Sequence, residues 1–327
     1  MTIGSSVARV AGSPMRRPRW GAVVLVIGLG VSLTGCGYVN QIRAKKASKD
    51  ANELYMKQDW KGAAEKYEEA ITLNPENGDL YFYLGNSFDN MYRPTRRGEP
   101  NNDSYLEKAI ANYRLGAERA TTPIVKQRSL QYLVNAFGSE KLNDPTQAEP
   151  VVKAMIDLEP NEPTNYFVLA DIYADSGEYE LAEQTYLKAK EVRPNDPSVY
   201  MQLAGFYNSQ GDFEKTIAAV EERTKVEPNN PEAYQTLATY YWDKAYRDFR
   251  LSDKEKLQYV LSGIEAVDKA IQIKPDYMEA VAYKNLLLRL QANLEKDPAK
   301  QQALLREADQ LRDRAEALRK QKQAGSN

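Results

Sequence analysis

Large apolar and small apolar side chains recur at one fixed step through the middle of the chain. Tyr166, Tyr200 and Tyr234 form one series, Leu169, Leu203 and Leu237 a second, Ala170, Ala204 and Ala238 a third, and Tyr173, Tyr207 and Tyr241 a fourth, all spaced by 34 residues. Within each period the apolar positions follow one another at steps of three and four, the spacing of a single helix face. The polar positions between them carry the punctuation. Asp196-Pro197 and Asn230-Pro231 read as an N-cap followed by proline at the first helical position. Pro160, Pro194 and Pro228 cannot continue the helix before them. Asp175-Ser176-Gly177 and Ser209-Gln210-Gly211 supply a tight polar turn halfway through the period. The pattern predicts pairs of antiparallel helices. Ala170, Ala182 and Ala189 let the backbones approach, and Tyr166, Leu169, Tyr173 and Tyr186 fill the space between them.

The same order of residues, with departures, extends the array from about Ala44 to Lys296. The first period shows Ala51, Asp59-Trp60, Ala63, Tyr67, Ala70 and Pro75. The second opens with Tyr81, Leu84, Gly85 and Phe88, is interrupted by an insertion within about 91–104, and resumes with Ala109 and Tyr113. The third is degenerate, with Leu130, Leu133 and Phe137 on one helix, a longer turn at Asn143-Asp144-Pro145, and Ala148 and Val152 on the next. Periods 163–196 and 197–230 are regular. The sixth opens at Pro231 and carries a second charged insertion, within about 243–257. A helix from Met278 follows, then a polar helix over 297–320 whose stripe of Leu304, Ala308, Leu311, Ala315 and Leu318 reads as a C-terminal cap. A dimerising coiled coil is the alternative for that stripe. Residues 321–327 are expected to fray.

The pattern at the start of the chain is different in kind. Arg16, Arg17 and Arg19 precede an apolar run from Trp20 to Leu33, which ends at Leu33-Thr34-Gly35-Cys36. A basic region, a short apolar core and small residues before a cut describe a secretory signal peptide over 1–35. The run is shorter than the roughly 20 apolar residues of a membrane span. Leu-Thr-Gly-Cys resembles the bacterial lipobox, and the sole cysteine of the chain sits in it. That resemblance implies that Cys36 becomes the first mature residue and carries acyl chains, palmitate among them. It also implies that Gly37, where many Gram-negative lipoproteins carry Asp for inner-membrane retention, directs the protein to the outer membrane, facing the periplasm. Met15 serves equally well as the start of such a signal. Residues 36–43 are then a short connector next to the lipid.

The 34-residue period resembles that of the tetratricopeptide repeat (TPR) family over about 44–296. The resemblance implies an all-α fold, a right-handed α-α solenoid of six to seven helix pairs. Such arrays bury their apolar faces only against neighbouring pairs and act by presenting a surface.

Charge and composition narrow the partners. The chain has 44 basic and 46 acidic residues; residues 1–35 hold four of the basic ones and no acid, so the remainder has 40 basic against 46 acidic. A chain of that balance lacks the basic stripe that nucleic acid requires. Histidine is absent and there is one cysteine, which excludes histidine-based catalysis, His-ligated metal sites and an internal disulfide. No nucleophile-base spacing, phosphate-cradling glycine loop or metal motif emerges. Neither an enzyme nor a cofactor is expected.

In the TPR family the first helix of each pair lines the concave face. Carried onto this chain, that implies contacts from Asn52 and Tyr55 (with Met56), from Phe82, Asn86 and Asn90 (with Asp79 and Asp89), from Phe167 and Asp171 (with Asp175), from Met201 and Asn208 (with Ser209), and from Gln235 and Trp242 (with Thr239 and Asp243). Amides and acids interleaved with aromatics suit an extended or helical peptide segment. Phe82, Phe167 and Trp242 are equally compatible with packing on a neighbouring helix. Asn52 and Asn86 fall at the asparagine position of the family's carboxylate clamp, but Ser48 and Phe82 stand where its first lysine belongs, so a clamp is not expected. Arg93, Arg96 and Arg97 in the first insertion form a candidate basic contact loop, with a solvated loop as the alternative. Tyr246 and Phe249 in the second insertion are expected to staple two lengthened helices together.

The expected function is a membrane-anchored scaffold lipoprotein that docks a cell-envelope protein or peptide in its groove. It resembles repeat lipoproteins that assist secretin or pilus assembly, outer-membrane protein assembly or peptidoglycan enzymes. The alternative is a periplasmic lipoprotein that holds a small hydrophobic ligand for a transport system, which a ligand retained in native mass spectrometry distinguishes.

Overall fold

The computed structural model describes residues 21–324, with side chains from Tyr38 onward. Residues 1–20 of the segment 1–35 read as a signal peptide, the Cys36 side chain and the last three residues lie outside what is described. Among the described residues there are fourteen α-helices, one 3-10 turn and no strand. The chain divides into two compact units.

The first unit holds α1 (Gly21–Met56), α2 (Trp60–Leu73), α3 (Asp79–Met91), a 3-10 turn (Pro94–Arg96), α4 (Pro100–Arg119) and α5 (Pro123–Phe137) up to Ala136, with residues 140–142. Residues 36–43, read as a connector, continue the helix α1. Asp59 caps α2, accepting from the Gly62 amide at 3.0 Å. The core is aromatic: Tyr67 and Tyr113 are fully buried, and Tyr67 stacks on Tyr83 with centroids 5.9 Å apart. Glycine sets how closely α3 and α4 approach. A Cβ on Gly85 would lie 2.9 Å from the Tyr113 ring, and one on Gly78 only 1.9 Å from the Arg119 carbonyl oxygen.

The second unit holds α6 (Pro145–Leu158), α7 (Pro163–Asp175), α8 (Tyr179–Val192), α9 (Pro197–Ser209), α10 (Phe213–Val226), α11 (Pro231–Arg247), α12 (Asp253–Ile273), α13 (Met278–Leu294) and α14 (Pro298–Ala324). Successive helices pack on one another from α6 to α14. The punctuation read from the sequence is in place: Asp196 and Asn230 accept from the amides of Ser198 (2.9 Å) and Glu232 (3.0 Å), each with proline at the start of the helix. Gly177 and Gly211 turn the chain at φ of 79° and 73°, a region that side chains disfavour. Ala170, Ala182, Ala189 and Ala204 are fully buried at the helix contacts. Burial of each large side chain between them, such as Val220 or Tyr186, contributes roughly 1.5–3 kcal/mol.

Two ends differ from the sequence reading. The α14 helix runs to Ala324, past the expected end at Lys320, since Arg319-Lys320-Gln321-Lys322 are good helix formers without a stop signal. The second insertion does lengthen α11 and α12, but Phe249 staples nothing. It is 87% exposed at the turn, while Tyr246 stacks on Trp242. The turn is held instead by Asp248, which takes Lys244 at 3.0 Å and the Arg250 side chain at 2.9 Å.

Candidate functional site

The polar positions of α3 that share one face, Asn86, Asp89 and Asn90, open onto a cleft of about 390 Å³ in the first unit. Tyr55 and Trp60 line it from α1 and α2, Tyr92 and Pro94 from the insertion, Tyr132 from α5, and Lys141 from the turn beyond α5. The side chains are bound to one another in a chain. Tyr55 donates its phenol to Asn86 Oδ1 at 2.5 Å, and Asn90 Nδ2 donates to the Asn86 carbonyl at 2.8 Å and to its Oδ1 at 3.0 Å. Tyr113 donates to Asp89 Oδ2 at 3.1 Å, and the Lys141 ammonium meets Asp89 Oδ1 at 2.6 Å. Asp89 and Lys141 keep only 8% and 17% of their side-chain surface exposed, so this ion pair is largely desolvated.

The walls are aromatic. Tyr55 stands edge-on to Trp60 at 5.1 Å, and Tyr132 is tilted against Tyr113 at 5.3 Å. Burial pushes the Tyr113 phenol far above its ordinary value, with the Asp89 charge adding to it. Burial also raises Tyr55, with Tyr132 and Tyr83 in the same sense and Arg128 opposing. Both phenols are therefore neutral donors at physiological pH. The cleft offers ring faces to an apolar side chain, and amide and ion-pair edges to the backbone of a bound segment. Among the described residues no cluster of His, Cys, Asp and Glu has the arrangement of a metal site.

The structure gathers four of the expected contact residues in the cleft, Tyr55, Asn86, Asp89 and Asn90, while Asn52 accepts from the Tyr67 phenol at 2.7 Å. Asp79 lies elsewhere and accepts from the amide of Thr121 at 3.1 Å, fixing the end of α4. Phe82 is buried against Tyr83, Tyr132 and Tyr113, so its ring belongs to the core and not to the surface. Phe167 is likewise buried, beside Tyr186. In both cases a large ring at this repeat position fills the gap left by small neighbours.

In the second unit several of the expected residues are engaged by other side chains of the unit. Asp171 accepts from the Tyr186 phenol, and burial, only partly offset by that bond, raises its carboxyl above the usual range. Met201 is half-buried and Asn208 exposed at the end of α9. Gln235 donates to the Thr239 hydroxyl at 2.8 Å. Trp242 stacks on Tyr246 at 5.0 Å and meets Tyr283 edge-on at 5.9 Å. A larger groove of about 730 Å³ lies elsewhere, with Tyr234, Leu237 and Tyr241 among its lining residues, and a related one of about 370 Å³ contains Tyr200, Leu203 and Tyr207. These tyrosines and leucines occupy equivalent repeat positions, so both grooves arise from the repeat geometry itself.

The three arginines of the first insertion are exposed but tied down. Arg93 donates to the carbonyls of Asn90 (2.8 Å) and Tyr92 (3.3 Å), Arg96 to the Glu99 carboxylate (3.0 Å), and Arg97 to the Leu142 carbonyl (3.2 Å). None of the three is among the residues that line the cleft. Trp60, Tyr132 and Lys141 were not legible as site residues. Lys141 lies in the irregular turn of the degenerate third period, where no periodic signal marks it.

Residues 51–91 match the family described as TPR repeat, and residues 141–204 the one described as tetratricopeptide repeat. No curated protein matches the sequence. Among solved structures, the chain resembles the C-terminal part of a TPR repeat-containing protein from Cytophaga hutchinsonii, at 14% identity and a TM-score of 0.52, over 80% of this chain and 93% of that one. A tetratricopeptide repeat protein from Parabacteroides merdae matches at 13% identity and a TM-score of 0.44, over 81% and 98%. YrrB, described as a TPR protein with an unusual peptide-binding site, matches at 19% identity and a TM-score of 0.37, over 67% and 97%. Tetratricopeptide repeats are thus supported by sequence over the two matched segments, and the all-α, paired-helix architecture by the fold. The class is that of all-α arrays of paired helices.

Proposed function

We propose that the protein is a membrane-tethered scaffold that holds an extended or helical segment of another cell-envelope protein in the cleft of its first unit. The observation that carries this is the chain of bonds from Tyr55 through Asn86 to Asn90, set beside the Asp89–Lys141 pair and walled by Trp60 and Tyr132. Its polar groups are already oriented by one another, so a bound segment meets a preorganised edge at low entropic cost. The lipobox-like Leu33-Thr34-Gly35-Cys36 supports acylation at Cys36, and Gly37 supports an outer-membrane location facing the periplasm.

A photo-crosslinker at Tyr132, on the wall of the cleft, tests the binding role in intact cells. The expected result is a discrete adduct with an envelope protein, lost when Asn90 is replaced by Leu and absent when the crosslinker stands at Leu187, outside the cleft. Equal labelling from both positions would refute the cleft as the docking site. Membrane fractionation of a Cys36→Ala variant tests the anchor separately: release from the membrane supports it, and unchanged sedimentation counts against it.

A further inference from the structure

The side chains of α1 are sorted along and around the helix in a way that packing does not require. Ala44, Ala47 and Ala51 are buried and form the face turned into the protein. On the opposite side stand Tyr38, Ile42, Lys45 and Lys49, at steps of four, three and four, with Val39 and Lys46 flanking them. The apolar members come first, nearest Cys36, and are exposed: Tyr38 67%, Val39 53% and Ile42 52%. The cations Arg43, Lys45, Lys46 and Lys49 follow, and residues 37–49 contain no acid. The first acids met are Asp50 and Glu53 on the same helix and Glu69 on α2. Glu53 lies 3.9 Å from Lys49, both groups being well exposed, while Glu69 is held low chiefly by Lys66, with Arg43 and Lys46 adding to it. Three exposed apolar side chains followed by Lys45 and Lys49 on the outer side, with Lys46 on the flank and Arg43 further round toward α2, is the order of an interfacial helix, whose apolar groups enter the acyl boundary while its outer cations reach the headgroups.

We propose that residues 38–49 form a second membrane contact, specific for anionic phospholipid, in which α1 lies along the bilayer surface on its Tyr38, Ile42, Lys45 and Lys49 side with α2 turned away from it. The inference rests on the reading that Cys36 is at the membrane. The acyl chains implied at Cys36 would tether the protein without fixing how it lies, and an apolar and basic helix face beside them would turn that tether into a fixed orientation. The occupant is a lipid surface because the apolar and basic groups share one side and follow directly on the apolar run that ends at Leu33.

The test uses the full chain in nanodiscs of phosphatidylcholine alone or with phosphatidylglycerol, read by the rate of lysine acetylation. Lys45 and Lys49 are expected to label about tenfold more slowly in the anionic discs, with the protection removed by high salt, while Lys57 is unaffected. The variant I42D, which leaves the buried alanines in place, is expected to lose the protection. Equal labelling in both discs by an incorporated chain overturns the surface contact while leaving the anchor standing. A chain that enters neither disc overturns the anchor and the contact with it.

Discussion

Tyr207 on α9 donates its phenol to the Glu183 carboxylate on α8 at 2.9 Å, and Lys215 on α10 reaches the same oxygen at 2.8 Å. One carboxylate therefore ties three consecutive helices. The pair recurs one period earlier, where Tyr173 donates to Glu149 at 2.9 Å. Both pairs span 24 residues, so the repeat propagates a polar staple as well as an apolar core. Replacing Tyr207 or Tyr173 by Phe keeps the ring and removes the bond. Each is expected to cost about 1 kcal/mol in urea unfolding, with unchanged helix content. The double variant should cost close to the sum, because the two staples share no partner. A midpoint that does not move in either variant would show that solvent competes the bond away.

These tyrosines also fix the alkaline limit of the fold. Burial raises Tyr67, Tyr113, Tyr186 and Tyr207 well above the ordinary value of 10.0, and brings Tyr241 to about 12, with Glu221 adding to the shift of Tyr241. Below pH 10 both folded and unfolded phenols are protonated and the stability is fully present. Above it the unfolded chain ionises first, so stability falls as pH rises through the window from about 10 to about 12 and beyond. Tyrosinate absorbance should appear together with loss of helix in that window. In acid the sign reverses: Glu149 and Glu183 are held below 4.5 mainly by Lys153 and Lys215, so their contribution is present above that value and lost as pH falls through their folded range. Ionisation of Tyr67, Tyr113, Tyr186 and Tyr207 at pH 10 in the intact fold would contradict this account.

Gly78 gives the sharpest packing prediction. A Cβ there would stand 1.9 Å from the Arg119 carbonyl oxygen, a backbone atom that cannot move without displacing the end of α4. Gly78→Ala is expected to destabilise the first unit by roughly 1–3 kcal/mol in thermal or urea unfolding. Gly205→Ala, where nothing lies within 4 Å of the added carbon, is the control and should be neutral or slightly stabilising. Equal effects at the two positions would mean that α3 and α4 are not in close contact.

The paired helices were legible because their punctuation is local. Proline, Asx caps and turn glycines act within a few residues, and the 34-residue step repeats them often enough to fix the register. The direction of a given side chain was less legible. Phe82 and Phe167 occupy positions that the family resemblance assigns to the concave face. Here Gly85, Gly116 and Ala170 leave room, and the rings turn inward to fill it. Asn86 was found by its position, but its partners were not. Tyr55 reaches it from 31 residues earlier, and Lys141 reaches Asp89 from 52 residues later, out of a turn that follows no period.

The Asp89–Lys141 pair decides whether the cleft is a built site or an incidental one. Two opposite charges with 8% and 17% of their side-chain surface exposed have lost much of their hydration, and only their mutual contact and the Tyr113 phenol offset that loss. Removing one partner alone leaves the other charge desolvated. Asp89→Leu and Lys141→Met are therefore each expected to cost about 2–4 kcal/mol, whereas the double variant that carries both should cost much less than their sum. Urea unfolding of the four chains gives the coupling. Crosslinking from Tyr132 in the double variant then separates stability from binding: a fold restored without an adduct assigns the pair to ligand recognition, and a fold restored with the adduct assigns it to holding the turn after α5 in place. No coupling between the two substitutions would place both groups in free solvent and remove the cleft's polar edge from the binding argument.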